Sequence, residues 1–111
     1  MRLSPRDPNL SYWLQFVGNA ELQLNNYPQA IDNYRRSTTM NPRYPRSLAG
    51  LAAAHALSGN LAEARVYADK LKEQWPDLTA EQLLKRFALQ SKRGPSPLSE
   101  GLRRALSLES H

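Results

Sequence analysis

The chain is self-similar at a displacement of 34 residues, and that period constrains its fold more than any other feature. Moved by that interval, Leu14 falls on Leu48, Val17 on Leu51, Gly18 on Ala52, Ala30 on Ala64, Tyr34 on Ala68 and Pro42 on Pro76. The segment Asn25-Asn26-Tyr27-Pro28-Gln29-Ala30 falls likewise on Gly59-Asn60-Leu61-Ala62-Glu63-Ala64. A period of about 20–50 residues marks a stacked array, in which each unit is too small to bury its own apolar face and covers it against its neighbours.

Within each period two stretches carry the spacing of a helical face. The first unit has Trp13, Phe16, Val17, Ala20 and Leu24, then Ala30, Ile31 and Tyr34. The second has Leu48, Leu51, Ala52 and Leu57, then Leu61, Ala64, Ala68, Leu71 and Trp75. Asn25 and Gly59 share a repeat position, and both residue types tolerate the left-handed conformation that ends a helix. Pro28 suits the first turn of a helix, where its missing N–H costs little. Pro42, Pro45 and Pro76 mark the ends of hairpins, because the residue before a proline disfavours helical geometry. Beyond Pro76 the period fades. Thr79 and Gln82 form a candidate capping box ahead of Ala80, Leu83, Leu84 and Phe87. Lys92 and Arg93 precede a break at Gly94-Pro95, and Ser96-Pro97 opens a last helix with Leu98, Leu102, Ala105 and Leu106 on one side.

Small residues at Gly18, Ala30, Ala52 and Ala64, with proline at Pro42 and Pro76, resemble the tetratricopeptide repeat. Two positions depart from that pattern: Ala68 stands where the first unit has Tyr34, and Glu21 and His55 stand where the family has tyrosine. The resemblance implies an all-α, right-handed solenoid fragment. It divides into residues 1–9 as the tail of a preceding repeat or an extension, a first repeat over 10–43, a second over 44–78, and capping helices over 79–111. Pro8 lies one full period before Pro42, in keeping with such a tail. The stretches Leu3-Ser4-Pro5-Arg6-Asp7-Pro8, Asn41-Pro42-Arg43-Tyr44-Pro45 and Glu100-Gly101-Leu102-Arg103-Arg104-Ala105-Leu106 are similar to the C-terminal repeat region of certain bacterial signalling proteins. Those proteins carry an adenylate-cyclase-type or winged-helix DNA-binding domain upstream.

The composition agrees with a folded chain. Hydrophobic residues make up 41% and charged residues 23% of the 111, ordinary values for a globular chain. Cysteine is absent, which removes disulfides and thiolate metal ligands and fits a cytoplasmic location. No apolar run approaches the roughly 18–20 residues that span a bilayer, and the opening residues lack the apolar stretch of a secretory signal.

Function is then expected in a groove. The family resemblance implies a concave surface lined by the first helix of each hairpin, here Tyr12, Gln15, Phe16 and Asn19 from one unit and Arg46, Ala49, Gly50 and Ala53 from the other. Such a shelf suits an extended peptide or a helix, with Arg46 able to take a carboxylate. Tyr12 and Phe16 are equally compatible with burial under an upstream repeat or with homodimerisation through the N-terminal face. The clamp by which some members hold the carboxylates of chaperone tails is not expected: Asn19 matches it, but Gln15, Gly50, Ala80 and Leu84 do not.

No catalytic motif, cofactor motif or metal-ligand spacing appears. His55 lies on an Ala-rich helix and reads as a packed histidine, and His111 is terminal. The chain therefore reads as a binding protein and not an enzyme. A purely structural oligomerisation module is one alternative. A basic helical nucleic-acid binder is another, resting on the formal charge of +5, the Arg35, Arg36, Arg43 and Arg46 cluster, and Tyr12, Trp13 and Tyr44 as stacking residues.

Overall fold

A computed structural model describes residues 10–88 and 97–107. They form α1 (Leu10–Gln23), α2 (Tyr27–Met40), α3 (Pro45–Leu57), α4 (Leu61–Gln74), α5 (Ala80–Ala88) and α6 (Pro97–Ser107), with no strand among them. The expected all-α class is observed. Residues 1–9, the Lys92–Pro95 break and His111, each assigned a place above, lie outside the described residues.

The two hairpin turns are copies of one another. Asn25 has φ 62° and Gly59 has φ 86°, the left-handed conformation anticipated from their shared position. In the first turn the Asn26 N–H donates to Glu21 O (2.9 Å) and the Asn25 N–H to Leu22 O (3.0 Å). In the second, Asn60 donates to His55 O (2.8 Å) and Gly59 to Ala56 O (3.2 Å). This pattern satisfies carbonyls that a helix end otherwise leaves unpaired. It also accounts for Glu21 and His55, which share one of the two departing positions of the repeat. Asn26 Nδ2 donates to Glu21 Oε2 at 3.0 Å, and Asn60 Nδ2 donates to His55 Nδ1 at 3.4 Å. Each side chain braces the asparagine of its own turn.

Proline placement differs from the expectation at one point. Pro28 lies in the first turn of α2 as anticipated, but Pro45 opens α3 and does not close the preceding hairpin. The capping box at the start of α5 is complete. The Thr79 N–H donates to Gln82 Oε1 (2.8 Å) and the Gln82 N–H to Thr79 Oγ1 (3.1 Å).

The packing centre is Tyr34. Its ring fills the space between α1 and α3 where Gly18 and Gly50 leave no side chain: a Cβ at Gly18 would lie 2.8 Å from the ring, and one at Gly50 would overlap it. The Tyr34 hydroxyl donates to Asn19 Oδ1. Beside it, three buried serines tie α1, α2 and α3 together. Ser37 Oγ donates to Ser11 O at 2.7 Å and shares a hydrogen bond with Ser47 Oγ at 2.6 Å. Buried hydroxyls are costly unless paired, so this set holds the three helices in one register.

The buried face of α1 is not the one its apolar spacing suggested. Ser11, Leu14, Gln15, Gly18 and Leu22 face inward, whereas Trp13, Phe16, Ala20 and Leu24 are exposed and Val17 is half-buried. The reason lies in the partners. Ser11 and Gln15 are drawn in by hydrogen bonds to Ser37 and Tyr44, and Gly18 by the Tyr34 ring.

Helix α3 is buried on every side, from Ser47 through Ala56. Helices α1 and α2 cover one side and α4 another, and α6 covers the rest. In a continuing array the next helix would pack more on α4 than on α3, as α3 packs more on α2 than on α1. Instead α6 packs mainly on α3 and also reaches α1 and α4. It therefore lies across the first helices of both hairpins. Gly101 makes this possible, since a Cβ there would strike the Ala53 backbone. Leu102, Ala105 and Leu106 are fully buried in the same contact.

Candidate functional site

The expected groove residues separate into two groups. Tyr12, Phe16 and Arg46 are exposed and Asn19 is half-buried. Gln15, Ala49, Gly50 and Ala53 are buried: Gly50 against the Tyr34 ring, and Ala53 against Gly101 of α6. Asn19 Oδ1 is already an acceptor for the Tyr34 hydroxyl. The surface left open is thus the outer side of α1 with the N-terminal corner of α3.

That surface is aromatic. Tyr12 is 59% exposed, Phe16 57% and Trp13 41%. Trp13 and Phe16, three residues apart on one helix, stack with ring centroids 6.1 Å apart and planes at 19°. Such i,i+3 neighbours meet on a helix surface, so Trp13 was available from spacing alone once the inward face of α1 was known. Ala20 and Leu24 continue the exposed stripe toward the C-terminal end of the helix.

Beside the aromatics, Tyr44 precedes the first turn of α3, and its hydroxyl donates to Gln15 Oε1 at 3.3 Å. Burial pushes the Tyr44 hydroxyl above its ordinary value; the Arg46 charge opposes this and Tyr12 adds to it. Tyr12, Tyr44 and Arg46 therefore form one electrostatic neighbourhood. Tyr34, by contrast, is held far above the ordinary tyrosine value by burial alone and is a packing residue.

The remaining features have structural roles. His55 is packed as expected, stacked on Tyr67 with centroids 5.7 Å apart. With Nδ1 accepting from Asn60, its proton sits on Nε2, which is buried without a hydrogen-bond partner. Burial lowers its pKa, Glu63 opposing and Arg35 reinforcing that shift. A depression of about 450 Å³ is lined by Pro42, Arg43, Leu48, Lys70, Glu73 and Gln74, where Gln74 Nε2 donates to Arg43 O at 2.9 Å. Among the described residues no grouping of histidine and carboxylates has the geometry to hold a metal, and no helix is long and apolar enough to cross a membrane.

The chain matches no curated protein and no solved structure. A family model described as tetratricopeptide repeat does match it, over residues 18–79. The match runs from Gly18, beneath the Tyr34 ring, to Thr79, at the capping box of α5, and so takes in both hairpin turns and the inter-repeat link. It covers more than half of the chain, which therefore belongs to the tetratricopeptide-repeat family.

Proposed function

We propose that this chain binds a protein partner along the outer side of α1, with the Tyr44–Arg46 corner of α3 fixing the partner's orientation, as the regulatory or partner-binding segment of a bacterial signalling protein. Repeats of this family serve as protein–protein interaction modules, so the class of function follows from membership. The choice of surface is carried by one observation: Tyr12, Trp13 and Phe16 are adjacent, aromatic and exposed, while the other half of the expected groove is buried. Aromatic side chains and arginine concentrate binding energy at protein interfaces. The surface suits an extended peptide or a helix with an apolar face and a carboxylate placed to meet Arg46. The regulatory setting is the expectation drawn from the sequence of the Asn41–Pro45 link and the Glu100–Leu106 stretch.

Selection from a random peptide library on the immobilised chain tests this reading. The selected peptides should combine apolar residues with at least one acidic residue, and should bind a Phe16→Ala, Arg46→Ala double variant at least tenfold more weakly. Equal binding to the double variant would remove the α1 surface from the site. A second reading, homodimerisation through the same aromatic surface, draws on the same exposure. A concentration series in analytical ultracentrifugation separates the two, since a monomer at every concentration leaves only the partner-binding reading.

A further inference from the structure

We infer that the depression where the two repeats join is a second binding site, which takes a carboxylate side chain from an extended segment of a partner protein. This rests on the reading of the chain as an interaction module, but not on the aromatic surface of α1. The lining comes from the link after α2 (Pro42, Arg43), from Leu48 of α3, and from Lys70, Glu73 and Gln74 of α4. Its volume of about 450 Å³ falls within the roughly 300–1,000 Å³ usual for ligand sites.

Three observations carry the assignment. Its cations are uncommitted: among the described residues neither Arg43 nor Lys70 forms an ion pair, although Glu73 stands one turn beyond Lys70 on the same helix. Lys70 is instead placed over the Tyr67 ring, 5.2 Å from its centroid. The wall is also held in advance. Gln74 Nε2 donates to Arg43 O at 2.9 Å, which ties the link to α4 and spares a ligand the cost of ordering it. Gln74 Oε1 stays available to accept from a ligand's backbone N–H. Finally, Pro42, Arg43, Lys70 and Glu73 are all exposed, so the depression is open to solvent above buried Leu48. An open form admits a side chain carried on a peptide, where a free small molecule would be enclosed on too few sides.

The charge of the lining selects the occupant. Arg43 offers a planar fork that meets both oxygens of a carboxylate, and Lys70 adds a point charge. Arg43 and Lys70 against Glu73 leave a formal charge of +1. A carboxylate balances that charge, whereas a phosphate group of about −2 leaves a negative charge uncompensated. The ligand is thus an extended segment with Asp or Glu beside an apolar residue, the latter meeting Pro42 and Leu48.

The test uses as bait the full chain carrying Phe16→Ala and Arg46→Ala, which disables the α1 surface, and as probe a random peptide library. The selected peptides should share an acidic residue next to an apolar one. Adding Arg43→Ala and Lys70→Ala to the bait should weaken them at least tenfold with the melting temperature unchanged. Glutamine in place of the peptide's acidic residue should cost the same. Arg36 is exposed on α2 one repeat before Lys70 and outside the lining, so Arg36→Ala controls for general attraction to a basic chain and should change binding less than twofold. Phosphoserine in place of the acidic residue should weaken binding, and Glu73→Gln in the bait should recover it. The inference is overturned if no acidic pattern is selected, if Arg36→Ala costs as much as the double change, or if the phosphopeptide binds more tightly than its parent. Peptides selected by the wild-type chain but not by the bait would uphold the α1 surface and sink this site; peptides indifferent to Phe16 and Arg46 but lost with Arg43 and Lys70 would do the reverse.

Discussion

Helices α1 and α3 open the two hairpins and stand at equivalent places in the repeat, yet their surroundings are opposites. Helix α3 is enclosed from Ser47 to Ala56 and is built largely of alanine and leucine. Helix α1 buries a small, partly polar strip and turns Trp13, Phe16 and Leu24 outward. Both begin from the same backbone plan; what differs is the number of neighbours. A helix covered on several sides needs small residues so that its neighbours can approach, whereas one covered on a single side can carry large groups elsewhere. In this molecule the enclosed core is concentrated in α3 and the exposed aromatic surface in α1.

The sharpest way to break that contrast is to truncate one large apolar residue in each helix. Leu51→Ala in α3 should cost about 2–5 kcal/mol, the range for emptying a closed core site. Phe16→Ala in α1 should stay within about 0.5 kcal/mol, as for exposed positions. Urea denaturation of both variants decides it, and a large loss at Phe16 would mean that α1 is covered in solution.

A second prediction concerns Gly50. Replacing a mid-helix glycine by alanine ordinarily gains about 1 kcal/mol, but here the new methyl group meets the Tyr34 ring. Gly50→Ala should therefore lose about 1–3 kcal/mol through overpacking. In a Tyr34→Leu background the same change should become neutral or stabilising, a reversal that a double-mutant cycle would read directly.

A smaller effect is expected from His55. Its folded-state pKa is lowered from 6.5, chiefly by burial. Between the ordinary and the lowered value the unfolded chain binds more protons than the folded one, so stability falls as pH falls through that window. The melting temperature should drop more for wild type than for His55→Gln between about pH 7.5 and about pH 5.5. Parallel curves would show that the buried Nε2 is not sensed. The smallest effect on stability belongs to Arg46→Ala, which should leave the melt within about 0.5 kcal/mol of wild type while weakening binding of acidic peptides.

Local chemistry was legible in the sequence, and partners at a distance were not. The turns at Asn25 and Gly59, the Thr79–Gln82 box and the buried stripe Ala64, Ala68 and Leu71 all follow from residues within one or two helical turns of each other. The inward face of α1 does not. Ser11 is claimed by Ser37, 26 residues away, and Gln15 by Tyr44, 29 residues away. Period analysis counts apolar residues and so put Trp13 and Phe16 on one helical face without showing that the face turns outward. The cover over the second half of the expected groove was hidden for a related reason: the pattern of α6 shows that it has an apolar side, but not which helix receives it. Ala49 and Ala53 were correctly placed on the first helix of a hairpin; their cover comes from a segment outside the repeat.

The dependence of α3 on α6 also has a consequence for biosynthesis. Helices α1 to α4 need only local contacts and can form as they leave the ribosome. The last side of α3 has to wait for about forty further residues, some 2–8 seconds at about 5–20 residues per second. During that interval an apolar strip centred on Ala53 is open to solvent and to whatever helix the cell presents first. Transiently exposed apolar surface of this kind favours aggregation, and docking of α6 ends the exposure.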